Sequence, residues 1–553
     1  MRPTPRREML QPEFYSRPIL VLHKELDNGR FAVPKLQRAF VWNGRKAAQL
    51  LDSIYHGMPI GAITVWDTSH RNMHLLRHTL NVLPPYQQWR RVWFVLDGQQ
   101  RLSVLHQMLS ANEVVTSDHK VVDFGKLVFR FTQAIDEPLF AYRNPDEEMH
   151  IPVFRLLSPT WSAKVRHLSE GQRNRIRECR ERLLGYRVPV VRVESDSIEQ
   201  ARELFIRINS LGTPLGAADR AFARAAAFDL RAQAETTWAS VAPNFRNLSD
   251  EMLLQTRALL DGVLDVGERA YEQVVRLWNV RIGKDKAAVK RFTKVWRQQE
   301  RALHRAIDLL RWRFSVLNDG LLPSQYMLAT LTVFFVHREG APSPGQMKQI
   351  ARWFWATALG QRYSGRGFRQ NILKDAAWFR KLARNASSKF VLSEKIDPMD
   401  LRLATYGKRS SVSDAFSCLL ISQKPRRLTN GEPMPIDQLV SAANKKHRHH
   451  VFPRQLLANR QVPARRANSI LNLCFLPADE NASVGARQPR KYLEEYMGRG
   501  LKGKLLSHLI PSDESSGLWE PNVRKGFEMF LKRRAEVVVR EFEKAAGAAL
   551  FRS

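Results

Sequence analysis

Between Phe31 and about Asn112, short runs of β-branched and aromatic residues alternate with stretches of apolar helical spacing. GAITVW (61–66) and RVWFVLD (91–97) predict strands, and RKAAQLLDSIYHG (45–57) predicts a helix closed by Gly57. Further on, YRVPVVRVE (186–194) reads as a strand, followed by a helix from Ser197 through ARELFIRINS and a turn at LGTPLG (211–216). From about Ala217 to Arg427 the pattern is almost wholly helical, with aromatic residues spaced through RWFWATALGQRYSG (352–365). The longest run without a charge, Gly320 to Val336, falls short of the roughly 20 apolar residues of a membrane span and reads as a buried helix. QKPRRLTNGEPMP (423–435) collects turn formers and marks a domain boundary, and the segment after Asn522 reads as one amphipathic helix. The expected architecture is a multidomain α+β chain. It has a basic tail over 1–14, a small α/β domain over 15–230, a helical middle domain over 231–427 and a compact basic module with a C-terminal helix over 428–553.

Composition sharpens this picture. The chain has 553 residues, 44% hydrophobic and 26% charged, which supports packed cores and excludes a disordered or fibrous chain. Its 88 Lys and Arg against 54 Asp and Glu give a formal charge of +34, which calls for a polyanion partner. The excess concentrates in the last module: residues 441–510 hold 13 Lys/Arg and 4 Asp/Glu, a local +9. The start, MRPTPRREMLQPEF, has no apolar stretch of the kind a secretory signal needs, so a cytoplasmic, membrane-free protein is expected. Cys179, Cys418 and Cys474 are far apart and form no C-x-x-C pair, which argues against a disulfide framework or zinc knuckle.

Two segments carry candidate chemistry. In the first, the strand ending at Leu96 runs through Asp97-Gly98 into a helix beginning Gln99-Gln100-Arg101. A strand, a glycine turn and a helix N-terminus make an anion seat: free backbone N–H groups, the two amides and the guanidinium can hold a phosphate, and Asp97 can hold a metal or a water. The bland alternative is a satisfied turn with a surface arginine. The second segment is Lys445-Lys446-His447-Arg448-His449-His450-Val451-Phe452-Pro453, followed by Asn468, Asn472 and Asn481. A one-metal nuclease needs a neutral imidazole to deprotonate water and a few N/O ligands to hold an ion against the phosphate. His450 suits the base and His449 a ligand. The alternative is a basic loop whose histidines touch phosphate without chemistry. A near-Walker stretch at Gly498–Leu505 has Leu505 where Ser or Thr must meet magnesium, so it is not a nucleotide site.

These residues resemble a known family. The boxes Pro34-x-x-Gln37-Arg38-x-Phe40-x-Trp42, Gly57-x-Pro59-x-Gly61, Asp97-Gly98-Gln99-Gln100-Arg101 and Phe205 to Leu215 resemble the ParB/sulfiredoxin-like domain of GmrSD-type modification-dependent (type IV) restriction enzymes. His449-His450-Val451-Phe452-Pro453, Asn472, Asn481 and Pro489-x-x-Tyr492-Leu493 resemble the HNH-type ββα-metal nuclease module fused to it in that family. The resemblance implies an NTP-binding and NTP-hydrolysing site at Gln37, Arg38, Asp97, Gly98, Gln99, Gln100 and Arg101. It also implies His450 as general base, Asn472 as the residue orienting its loop, and His449 with Asn481 as ligands of Mg²⁺ or Mn²⁺. His449 stands where many HNH sites carry Asp or Glu, which leaves the metal's identity open.

The expected function is therefore antiphage defence by an HNH endonuclease, acting on modified phage DNA and regulated or fuelled by NTP. Lys445, Lys446, Arg448 and Arg454 are expected to position the DNA backbone. One nuclease site per chain cuts one strand, so double-strand cutting implies a homodimer or two visits. The rival readings are a non-catalytic nucleotide-sensing DNA-binding factor and an RNA-directed nuclease.

Overall fold

The computed structural model describes residues 10–552 except 78–81, 117–119, 135–136, 212–215, 226–227, 286, 386, 393–394, 407–409, 436–447 and 497–499. The chain forms two compact units, Met1–Arg231 and Ala232–Ser553. It is a mixed α+β protein with small sheets and a predominance of helix.

The first unit is organised by a five-stranded sheet. Its strands are β1 (Pro12–Pro18), β2 (Phe31–Ala32), β3 (Ile63–Thr68), β4 (Val92–Asp97) and β10 (Arg187–Glu194), in the order β1-β10-β3-β4-β2. β1 pairs antiparallel with β10 and β3 with β4, while β10–β3 and β2–β4 are parallel. The near-continuous apolar runs of β3 and β4 follow from burial on both faces. Ile63, Val65, Trp93 and Val95 face one core, beneath the helices Ile19–Asp27, Gly44–Tyr55, Gln99–Ser110 and Glu170–Gly185. Trp66, Phe94 and Leu96 face a second core, covered by Ala201 and Phe205 of the helix Ile198–Leu211. β3, β4, β10 and the helices Gly44–Tyr55, Gln99–Ser110 and Ile198–Leu211 fall where they were predicted, whereas β1, which begins within the expected basic tail, β2 and the helices Ile19–Asp27 and Glu170–Gly185 were not predicted; the turn expected at 211–216 falls largely outside the described residues.

Between these parts lie short strands that the pattern does not signal: the pair β5 (Glu113–Val115) and β6 (Val121–Asp123), and the set β7 (Leu127–Arg130), β8 (Phe140–Tyr142) and β9 (His150–Pro152) in the order β8-β7-β9. Three or four residues are too few for a period-two alternation to stand out.

The second unit is helical up to the module at its C-terminal end. The long helix Ala287–Phe314 packs with Gln325–His337, the buried helix expected within the uncharged run, and that helix packs with Phe368–Arg384. Asp375 is buried here, accepting from Trp353 Nε1 at 3.1 Å, Tyr363 at 2.8 Å and the Arg362 guanidinium. Two short antiparallel strands follow, β11 (Arg448–His450) and β12 (Leu473–Phe475), with His449 opposite Cys474 and His450 opposite Leu473. The predicted C-terminal helix runs Val523–Ala546, capped by the Asn522 side chain on Lys525 N–H. It packs Phe527 and Phe530 against Phe452 in tilted contacts, both with ring centroids 5.4 Å apart. The segment 423–435 forms a turn within the second unit, and the helical part before it and the module after it share that unit. The three cysteines are buried free thiols.

Candidate functional site

All seven residues expected to bind nucleotide line one cavity of about 770 Å³ in the first unit, together with Trp42, Lys46 and Asn209. It lies where β4 ends. Gly98 has φ +85°, the left-handed region in which a side chain is strained, and it opens the helix Gln99–Ser110. The first-turn N–H groups of a helix have no intrahelical acceptor, so a seat for an anion opens beside the Arg101 guanidinium. Arg101 donates to Asp97 Oδ2 at 2.7 Å and to the Ile60 carbonyl at 2.5 Å. Gly61, with φ +80°, makes room for it: a Cβ there would sit 2.0 Å from Arg101 Nη1.

The box residues divide the work unequally. Gln37 is buried and spends its amide donors on the carbonyls of Leu96 at 2.7 Å and Val95 at 3.1 Å, so it ties its loop to the end of β4. Gln100 accepts from Val41 N–H at 2.9 Å and Trp42 N–H at 3.3 Å and donates to the Ala39 carbonyl, holding the same loop from the other side. Gln99 differs: it is 3% exposed, and neither its amide oxygen nor its nitrogen has a hydrogen-bond partner. A buried amide of this kind costs stability unless a ligand satisfies it. Asn209 donates to Phe205 O and Leu96 O, joining the helix Ile198–Leu211 to the rim. Arg38 is half-buried and Lys46 exposed; with Arg101 they put three cations and one carboxylate, Asp97, on the wall of the cavity. Lys46 carries no motif signal, and only the fold brings it here. Of the two aromatics in the first box, Phe40 is core and the part-buried Trp42 reaches the cavity wall.

The second candidate site is built on β11 and β12. Successive strand residues point to opposite faces, so His449 and His450 diverge. His449 is 7% exposed, on the face of its cross-strand neighbour Cys474, whose thiol burial pushes up to about 12. His450 is partly exposed, and its Nε2 lies 3.2 Å from Asn468 Oδ1. The Asn468 amide is oriented by its own donation to the Tyr406 carbonyl at 2.9 Å. An amide oxygen only accepts, so His450 Nε2 carries the proton and Nδ1 keeps the lone pair. Burial, reinforced by the Arg454 charge and opposed by the Asn468 bond, holds the His450 pKa below the ordinary histidine value, which favours the neutral ring.

Asn472 is fully buried and clamps the loop after His450. Its Oδ1 accepts from Phe452 N–H at 2.8 Å, and its Nδ2 donates to Phe452 O at 3.0 Å and Ala467 O at 2.9 Å. Its carbonyl takes Val451 N–H at 2.8 Å, and the Tyr492 hydroxyl donates to Val451 O at 2.8 Å. Asn481 is exposed on the helix Ala478–Val484. Arg454 is exposed at the start of the helix Arg454–Ala458, and Arg448 lies in β11; Lys445 and Lys446 fall outside the described residues. Asn468 stands in the second candidate segment but was given no role there; its contact to the Tyr406 carbonyl, 62 positions away, is tertiary.

Residues 20–225 match the family model described as GmrSD restriction endonuclease, N-terminal domain, which supports a GmrSD-type restriction endonuclease family for this chain. The chain is also similar to an uncharacterized protein of Methanocaldococcus jannaschii, 23% identical over 536 residues, covering 86% of each. That similarity runs through both units. Among the described residues, no helix is long and apolar enough to cross a membrane.

Proposed function

We propose that this protein is a restriction endonuclease of antiphage defence, in which NTP bound and hydrolysed in the first unit regulates or fuels an HNH-type nuclease in the second. The observation that carries the reading is the Asn472 clamp, which fixes the loop after a neutral histidine whose tautomer leaves Nδ1 free. Simple grip on phosphate requires none of these bonds.

In this reading Nδ1 of His450 takes the proton from the attacking water. Asn468 is a positioning residue that fixes the tautomer. His449 and Asn481, a neutral nitrogen and a neutral oxygen donor, would hold Mg²⁺ or Mn²⁺ with water completing the shell, the nitrogen favouring the softer Mn²⁺, provided that the buried His449 ring and the exposed Asn481 turn toward one another. The ion, when bound, supplies charge stabilisation at the scissile phosphate and the leaving oxygen. Lys445, Lys446, Arg448 and Arg454 hold the backbone of the DNA by charge. In the first unit, Arg38, Lys46, Arg101 and the first-turn N–H groups hold the phosphates, Asp97 holds a metal or a water, and Gln99 meets the ligand with its unpartnered amide. Gln37 and Gln100 position the loop. The substrate is modified phage DNA, and the protein works in the cytoplasm; a homodimer lets one site per chain cut both strands.

The test is cleavage of plasmid DNA and of heavily modified phage DNA, with Mg²⁺ or Mn²⁺ and with or without NTP, by wild type and His450→Ala. Cutting confined to modified DNA, and lost in the variant while DNA retention persists, is the expected result. Normal cutting by the variant would refute the assignment of the base. Tight, steeply salt-dependent binding with no cutting under any condition would favour the DNA-binding factor.

A further inference from the structure

A cluster of three ligating side chains lies in the first unit, away from the boxes. His23 and Asp27 stand one helical turn apart on the helix Ile19–Asp27, and His106 comes from the helix Gln99–Ser110. His23 Nδ1 lies 2.9 Å from Asp27 Oδ2 and His106 Nε2 lies 3.0 Å from Asp27 Oδ1. The two imidazoles stack with centroids 5.0 Å apart and an 18° angle between planes. One ligand atom from each of the three residues lies within 4.8 Å of the others.

We propose that His23, Asp27 and His106 bind a single Zn²⁺-class ion that ties these two helices together, independently of any ion at the nuclease site. Two imidazole nitrogens and one carboxylate suit zinc rather than the all-oxygen shells of magnesium or calcium. Bonds of about 2.0–2.2 Å place tetrahedral donors roughly 3.4 Å apart, so the cluster needs only side-chain rotation to close on an ion. A second, independent observation points to a ligand. His23 Nε2 is buried and without a hydrogen-bond partner, so a ring nitrogen of the cluster itself is left for a ligand.

Ligation through His106 Nε2 moves its proton to Nδ1, which faces the Gln107 amide at 3.3 Å. Gln107 Nε2 also donates to the Val82 carbonyl at 2.8 Å, so its side chain must rotate away from that carbonyl for its oxygen to accept from Nδ1–H as the outer partner that ligating histidines usually have. Asp27 is half-exposed and shares with His106 and Gln107 the wall of a separate cavity of about 650 Å³, which gives the ion access and room for a water as fourth ligand. The helix that carries His106 begins at Gln99, so the ion would fix the element that presents the phosphate seat.

The experiment uses the full-length, metal-stripped protein with Co²⁺ as a spectroscopic probe and Zn²⁺ as competitor. Wild type and His450→Ala are expected to develop the visible absorption of four-coordinate cobalt at one equivalent, bleached by Zn²⁺. His23→Gln and Asp27→Asn are expected not to. Zn²⁺ should raise the melting temperature of wild type and leave that of His23→Gln unchanged, while the two metal-free proteins melt together. If the metal-free His23→Gln protein melts early, Asp27→Asn, which keeps the side chain's size, carries the test. A cobalt spectrum that survives both substitutions, or its absence in wild type, would overturn the site. Neither readout involves DNA cleavage, so failure here is distinct from failure of the nuclease reading.

Discussion

Replacing Asn472 by alanine tests whether one buried amide holds the loop that follows His450. The substitution removes three hydrogen bonds, at 2.8, 3.0 and 2.9 Å, and leaves the Phe452 N–H and the carbonyls of Phe452 and Ala467 in a site closed to water. An orphaned buried group costs about 1–3 kcal/mol, so three of them imply about 3–5 kcal/mol once partial relaxation is allowed. Because the protein has two units, global melting is a blunt probe, and amide hydrogen exchange of the segment 448–457 reads the effect directly. The Val451 and Phe452 amides are expected to lose protection by between about 100-fold and about 3,000-fold, at roughly tenfold per 1.4 kcal/mol. Asn472→Asp keeps the acceptor for Phe452 N–H but sets an anionic oxygen against two carbonyl oxygens, and should do no better. DNA cleavage should fall with the loss of protection in both. A change in protection below about tenfold in the alanine variant would refute the clamp.

Further outcomes follow from neighbouring residues. Burial pulls the His508 imidazole down to about 4, against the pull of its bond to the Arg426 carbonyl, so the folded protein holds it neutral. Stability from this group is full above the unfolded value of about 6.5 and is lost as pH falls to about 4, in all about 3 kcal/mol; His508→Gln should flatten the urea midpoint across that window, and an unchanged pH slope would count against it. Arg534 is fully buried and donates to the carbonyls of Leu471, His508 and Leu509 at 2.6, 2.7 and 3.1 Å, so Arg534→Met should destabilise the second unit by about 3 kcal/mol or more in urea. Gly61→Ala drives a methyl into Arg101 and should weaken NTP binding about tenfold or more by calorimetry; affinity within twofold of wild type would clear Arg101 of a role in the seat. Asn468→Ala releases the His450 tautomer and should lower kcat by about 10- to 100-fold with KM little changed, whereas a pure KM effect would assign Asn468 to DNA binding.

The strands β3, β4 and β10 were legible because each is long and apolar enough to override ambiguity, and the helices 44–55 and 523–546 because their apolar spacing is sustained between polar caps. The turn from β4 through Gly98 into the helix Gln99–Ser110 was legible as a motif, since a strand, a glycine and a helix start follow one another along the chain. What the motif could not show is the division of labour within it. Gln99 and Gln100 are adjacent and chemically identical, and only packing makes one a loop clasp and leaves the other buried and unpartnered. The cluster of His23, Asp27 and His106 was hidden for another reason: its spacing of four and then 79 positions has meaning only after two helices have packed. The contact between Asn468 and His450 was equally invisible, because the bond that orients Asn468 is tertiary.

Arg534 has a consequence in time as well as in space. Its guanidinium closes on carbonyls at 471, 508 and 509, so the strand pair bearing His450 lacks its inner support until the ribosome has delivered the helix 523–546. During synthesis the histidines emerge some eighty residues ahead of the arginine that braces their scaffold. The docking of the strand pair that bears His450 therefore waits on a segment made some eighty residues later in the chain.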